Sequence, residues 1–208
     1  MIATILKKET LYTLEKYFEL EEKANYKSEF RNGKIVSRNI GMAGGTLNHS
    51  KIMTNITVNL VNTVADNYDV FNSELAIYIP KYNHAVYPDV CVVEGEPEMY
   101  QNRNRAILNP ILIVEVASDS TDKYDRTNKF RKYKSLPSFK EYVLVDQDTP
   151  VVDVFFKDKL GWRMKTYVGL DEMVHLQSIG LELKMAAIYK KVKGLIDPQA
   201  ILDLPPID

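Results

Sequence analysis

One segment constrains this chain more than any other. Ile111-Leu112-Ile113-Val114-Glu115-Val116-Ala117 follows Pro110 and is apolar throughout except for a single glutamate. A run of this length without polar alternation suits a strand covered on both faces, as in the centre of a sheet flanked by helices. An ionised carboxylate in such a place costs several kcal/mol of desolvation unless it is paired, hydrogen-bonded, protonated or bound to a metal. Glu115 therefore needs a reason to be there. A salt bridge to a neighbouring Arg or Lys is one answer; metal ligation is another.

A second segment has the same character. Tyr87-Pro88-Asp89-Val90-Cys91-Val92-Val93 is an apolar strand with one acid near its start, and Pro88 suits the beginning or edge of a strand because it lacks a backbone donor. Two apolar strands that each supply one carboxylate are a common way to build an oxygen-rich site for a hard divalent cation. The residues after Glu115 extend the pattern. Ser118 to Thr121 is a helix start, and the helix runs to about Ser135. Asp125, Lys129 and Tyr133 fall on one of its faces at i, i+4 and i+8, with Arg126 beside them. A lysine reaching back over the two acids could orient an attacking water or stabilise charge developing on a phosphate. The plain alternative is a surface Asp125–Lys129 pair.

The rest of the chain reads as one mixed fold. Leu11, Leu14 and Phe18 predict an opening helix within Glu9 to Glu22, and Asn32-Gly33 predicts a tight turn joining two short strands. Asn48 is the expected cap of a second helix, on which His49, Ile52, Met53, Ile56, Leu60 and Val64 share a face. Strands are expected at Val70 to Pro80, Val86 to Val93, Glu141 to Asp146, Val151 to Phe156 and Trp162 to Val168, with a strand-to-helix step over Glu182 to Val192. Helices before and after a mixed run of strands give α/β or α+β: a mixed central sheet flanked by helices. Residues 1–192 are expected to form a single domain, followed by a Pro-rich tail at 193–208.

Composition bounds the chemistry. Of 208 residues, 45% are hydrophobic, enough for a core, and the net charge of −1 supplies no global positive field, so a nucleic-acid site has to be a local basic patch or be completed by metal ions. Lys123, Arg126, Lys129, Arg131, Lys132 and Lys134 concentrate positive charge on one helix and could form such a patch or simply a solvated face. The single cysteine, Cys91, excludes an intramolecular disulfide and a multi-cysteine zinc site; between Val90 and Val92 it reads as a small buried residue. Met1 to Leu20 carries charges every few residues and reads as neither signal peptide nor membrane anchor, so a cytoplasmic setting is the default expectation.

Taken in order, these residues resemble a known pattern. Pro88-Asp89 followed by Glu115-Val116-Ala117 resembles the PD-(D/E)xK nuclease signature with Ala117 in the lysine slot. More specifically, the chain looks like the Uma-two family of bacterial restriction-endonuclease-like proteins. The matching stretches are Tyr26 to Gly33 with Glu29; Asn48-His49-Ser50; Pro88-Asp89-Val90; Val114 to Ser118; Asp125-Arg126 with Lys129 and Tyr133; and Glu141 to Asp146. The resemblance spans about Thr13 to Tyr189. It implies a restriction-endonuclease-like core in which Asp89 and Glu115 bind Mg²⁺ or Mn²⁺, Lys129 replaces the missing lysine from the following helix, and Glu29 helps hold the metal. It places His49 near the site, with Asp125, Arg126 and Tyr133 as accessory residues. The implied activity is hydrolysis of phosphodiester bonds in DNA, with a homodimer as the family expectation. Phe139-Lys140 and Val143 depart from the family pattern, where a small-residue turn and a tryptophan are usual. His49 and Glu29 also have ordinary readings, as a core histidine and a solvated strand residue. A catalytically silent nuclease fold serving as a nucleic-acid-binding or dimerisation module is the competing reading. A glycosidase using Asp89 and Glu115 is weaker, because nothing supplies an aromatic sugar platform.

Overall fold

The run from Pro110 to Ala117 forms the strand its composition demands, and all eight of its residues are buried. In the computed structural model, which describes residues 10–25, 27–37, 46–102, 105–117 and 128–199, this strand (β8) lies inside a six-stranded sheet of order β11-β10-β9-β8-β6-β3. Its neighbours are β6 (Val90–Glu94), antiparallel, and β9 (Glu141–Asp146), parallel. β10 (Val151–Asp158), β11 (Gly161–Val168) and β3 (Tyr68–Asn72) complete the sheet through antiparallel pairs.

A second, five-stranded sheet has the order β2-β1-β5-β4-β7. It contains β1 (Ser28–Arg31), β2 (Lys34–Ser37), β4 (Ala76–Ile79), β5 (His84–Val86) and β7 (Ala106–Ile107). A small hairpin, β12 (Met173–Leu176) with β13 (Leu181–Lys184), stands apart.

Helices fill the remaining sides. α2 (Leu47–Thr63) covers one face of the large sheet, where Ile52, Ile56 and Leu60 pack with Val90, Val92, Leu112, Val114 and Val116. α3 (Phe130–Tyr133) lies on the opposite face, where Tyr133, Leu136 and Phe139 pack with Cys91, Ile113, Ala117 and Tyr142. Ile77, Ile79 and Val86 of the second sheet join that same cluster, so α3 sits where the two sheets meet. α1 (Leu14–Glu21) covers the far face of the second sheet through Leu14, Tyr17 and Phe18, and α4 (Met185–Ile188) packs beside α2. The result is a mixed α+β protein with mixed sheets flanked by four helices among the described residues.

The structure corrects several boundaries. The expected strand Val70 to Pro80 is two strands in two sheets. The Asn72 side chain accepts the Glu74 N–H at 3.0 Å, and the turn it makes carries the chain from β3 to β4. The expected strand Val86 to Val93 splits likewise between β5 and β6, where Pro88 has no donor to continue a ladder. Thr46, not Asn48, caps α2: its hydroxyl accepts the His49 N–H at 3.1 Å, while the Asn48 amide donates to the Lys193 carbonyl. α1 starts later than Glu9, with Thr13 as its cap. The strand β12 was not anticipated at all.

The Asn32-Gly33 turn stands as predicted, with Arg31 opposite Lys34 and both central residues at positive φ, +48° and +89°. A Cβ on Gly33 would adopt a strained backbone and meet Leu11 Cδ2 at 3.3 Å. Gly33→Ala is expected to cost about 1–2 kcal/mol and lower Tm by a few degrees in a thermal melt.

Candidate active site

Alternation along β8 decides which side of the large sheet carries Glu115. Cys91, Ile113 and Ala117 face α3, whereas Val90, Val92, Leu112 and Val114 face α2. Glu115 is in phase with Ile113 and Ala117. The β6–β8 ladder ends at Val90↔Val114, so Asp89 stands one residue before β6, at the Glu115–Val116 end of β8. Glu115 thus belongs to the α3 face, while Asp89, in the bend before β6, lies at the end of the sheet beside the Val116 N–H, where His49 of α2 reaches it.

Each acid is held. Asp89, 4% exposed, accepts from the Val116 N–H at 2.8 Å and lies 3.1 Å from His49 Nε2, both through Oδ2. Glu115, 2% exposed, receives Lys129 Nζ on Oε2 at 3.0 Å and the Tyr133 hydroxyl on Oε1 at 3.1 Å. Lys129 sits in a wide turn at residues 128–129 leading into α3 and is itself buried. Lys129 and Tyr133 are one helical turn apart, which lets each take one oxygen of the same carboxylate. The i, i+4 spacing read in the sequence is therefore a clamp on Glu115.

The electrostatics follow from this geometry. Burial alone would raise the Asp89 carboxyl, but the hydrogen bond and charge of His49, the Val116 N–H and the Lys129 ammonium together hold it below the ordinary carboxylate value. A folded-state value below the unfolded one means that Asp89 adds stability above the unfolded pKa, near 3.9, and that this is lost as pH falls through the folded value. In metal-free buffer, Asp89→Asn is expected to shallow the loss of stability below about pH 4, followed by urea midpoints across pH 2–7. Cys91, beside the site, is no thiolate: burial, then Glu115, pushes it up to about 12.

Glu29 lies elsewhere. It is on β1 in the second sheet, buried, with Arg31 Nη2 at 2.6 Å and Nε at 3.0 Å from its Oε2. Among the described residues, no three of His, Cys, Asp and Glu gather closely enough to make a ready ligand set. A metal role for Glu29 would require its pair with Arg31 to open. Asp125 and Arg126 lie outside the described residues. Sequence reasoning missed Arg31 and His84, which face each other across β1 and β5. The available signal was a histidine immediately after the Asn83 turn, heading the short apolar strand His84-Ala85-Val86. No described helix is long and apolar enough to cross a membrane.

Mixed sheets flanked by four helices among the described residues define a protein of nuclease-like fold. The same fold is seen in a crystal structure from Anabaena variabilis, described as a "putative nuclease belonging to DUF820", with a TM-score of 0.64 at 20% identity over 86% of this chain and 97% of that one. The chain belongs to the Uma2 family, described as "Putative restriction endonuclease", whose family model matches residues 14–186. Two proteins of Synechocystis are similar in sequence, both described as uncharacterized. One, sll1609, is 36% identical over 138 residues, covering 66% of this chain and 76% of its own length. The other, slr1290, is 33% identical over 178 residues, covering 85% and 90%.

Proposed function

We propose that this protein is a metal-dependent endonuclease that hydrolyses phosphodiester bonds in DNA. The observation that carries the reading is the closeness of the two acids: Asp89 accepts the N–H of Val116, the residue after Glu115, and Lys129 is bonded to Glu115. Hard carboxylate oxygens suit Mg²⁺ or Mn²⁺. Asp89 and Glu115 fit such an ion in kind, with water to complete its shell since no third ligand gathers beside them among the described residues, and Lys129 supplies the compensating charge when no ion is bound. When bound, the cation would acidify a water and offset negative charge on the scissile phosphate.

The chain's own residues divide the remaining work. Tyr133 and Val116 fix the orientations of Glu115 and Asp89 through hydrogen bonds. His49 holds Asp89 from the first turn of α2. Lys129, once Glu115 has another cation to neutralise it, can turn its ammonium to the attacking water or to charge growing on the phosphate oxygens. A cytoplasmic homodimer belongs to the same reading.

The test is incubation with plasmid and single-stranded DNA in Mg²⁺, Mn²⁺ or EDTA, beside Asp89→Ala. Cutting that needs metal and is lost in the variant supports the enzyme. A second reading has its own support, because Lys129 and His49 already satisfy both acids without an ion. On that reading the fold is a silent binding or dimerisation module, and a folded protein would neither cut nor gain Tm with metal.

A further inference from the structure

Among the described residues, one buried side-chain nitrogen or oxygen finds no hydrogen-bond partner: Nδ1 of His84. A buried polar atom left unmatched costs free energy comparable to a lost hydrogen bond, so such an atom in a native fold calls for an explanation. His84 opens β5, and its Cα partner across the ladder is Arg31 of β1. Residues directly opposite on an antiparallel pair project to the same side. Glu29, two residues before Arg31 and bonded to it, shares that side. Phe30 and Ala85, the alternate residues, pack against α1 instead. The Glu29–Arg31–His84 face is therefore turned the other way, toward α3, as are Ile79 and Val86 beside it.

α3 meets this face with a cation. Lys132 is one residue short of Tyr133, on the flank of the helix next to the Lys129–Tyr133 clamp. Its ammonium is pushed down first by burial and then by Arg31, with Glu29 opposing and Arg131 and Lys129 contributing less. His84 feels the same company. Burial first, then Lys132 and Arg31, lower its imidazole to about 4, with Glu29 opposing. Arg31, paired with the buried Glu29 carboxylate, and the His84 imidazole share this face, with the Lys132 ammonium within electrostatic reach of both. Such an arrangement accepts an anion with charge-assisted hydrogen bonds, and Arg and Lys are the usual phosphate contacts.

We propose that Arg31, His84 and Lys132 form a second phosphate subsite, which grips a non-scissile phosphate of the nucleic-acid strand whose cleavage is assigned to Asp89 and Glu115. The inference rests on the nucleic-acid reading of the site. It does not require that the protein cut. The subsite positions the strand: a phosphate held between the second sheet and α3 fixes how the neighbouring linkage lies over the large sheet. Binding brings the unmatched His84 nitrogen a partner and adds negative charge, which favours the protonated imidazole.

The test uses the full chain in EDTA, with fluorescein-labelled single-stranded and duplex DNA 20-mers read by anisotropy across a salt series. Lys132→Ala and His84→Phe are each expected to weaken binding about fivefold to tenfold. Lys132→Ala should also reduce the slope of log affinity against log salt by about one, and Lys132→Arg should restore both. Arg31 is left in place, because its loss would strand the buried Glu29 carboxylate. An independent readout is the His84 C2–H resonance, one of three histidines in the chain. Its titration midpoint should rise by at least one pH unit when the unlabelled 20-mer is added to wild type. Wild-type binding that neither variant changes, with a His84 midpoint that stays put, overturns the subsite and leaves the nuclease reading untouched. A wild type that binds no DNA overturns both. Binding lost in Lys132→Ala by a protein that never cuts supports the subsite and removes only the catalytic reading.

Discussion

Lys129→Met is expected to lower the stability of the metal-free protein by roughly 3–5 kcal/mol, on the order of 10 °C in Tm, the usual cost of removing one partner of a buried ion pair. The reason is what it leaves behind. Glu115 lies 2% exposed on a strand covered on both faces, and Lys129 is the cation at 3.0 Å from its Oε2. Without the ammonium, the buried carboxylate loses a charge-assisted hydrogen bond and stays charged at greater cost or takes up a proton, and either course disfavours folding at neutral pH. Glu115→Gln alone strands the ammonium instead. The double variant Glu115→Gln/Lys129→Met removes both charges and keeps an acceptor for the Tyr133 hydroxyl, so its loss should be well below the sum of the single losses. Chemical denaturation of the four proteins closes the cycle. Additive losses would mean that Lys129 and Glu115 do not neutralise each other. The same experiment in Mg²⁺ carries a second expectation: an ion at Glu115 takes over part of the lysine's role and narrows the gap between Lys129→Met and wild type.

Asp89→Asn is expected to reduce metal-dependent DNA cleavage by about a thousandfold or more. Metal ligation contributes several kcal/mol to the transition state, and each 1.36 kcal/mol is a factor of ten in rate, so losing about 4 kcal/mol gives that scale. Asparagine is the informative change. Its amide oxygen still accepts the Val116 N–H and can still meet His49 Nε2, so the neighbourhood keeps its hydrogen bonds while one negative charge disappears. A gel assay of plasmid nicking, with circular dichroism to confirm the fold, measures it. Full activity in this variant would remove Asp89 from the chemistry.

Much of this architecture is written in local pattern. An uninterrupted apolar run dictated β8, the Asn-Gly pair dictated the β1–β2 turn, and the i, i+4 spacing of Lys129 and Tyr133 dictated that they reach the same group. What local pattern could not give is the assignment of strands to sheets. β3 and β4 read as one stretch, as do β5 and β6, because the residues that divide them, Asn72 and Pro88, are compatible with turn or strand until the partners are known. That division matters for the site, since it puts Glu29 and Arg31 in one sheet and Asp89 and Glu115 in another. Glu141 shows the other limit. Like Asp89 it is an acid at the head of an apolar strand, yet it is fully buried and accepts the Gln177 N–H, the Ser178 N–H and the Ser178 hydroxyl at 2.7–3.0 Å. It ties down the turn at residues 177–178 and stands outside the candidate site. Two acids of similar sequence context thus have different work, decided by partners 36 and 27 residues away.

If Asp89 and Glu115 hold one divalent cation between them, titration calorimetry with Mn²⁺ will show it. Wild type is expected to bind saturably, with Asp89→Asn and Glu115→Gln each weakening the affinity by tenfold or more and the double variant releasing no heat above dilution. Wild-type protein that takes up no Mn²⁺, or variants that bind as tightly as it does, would contradict the claim.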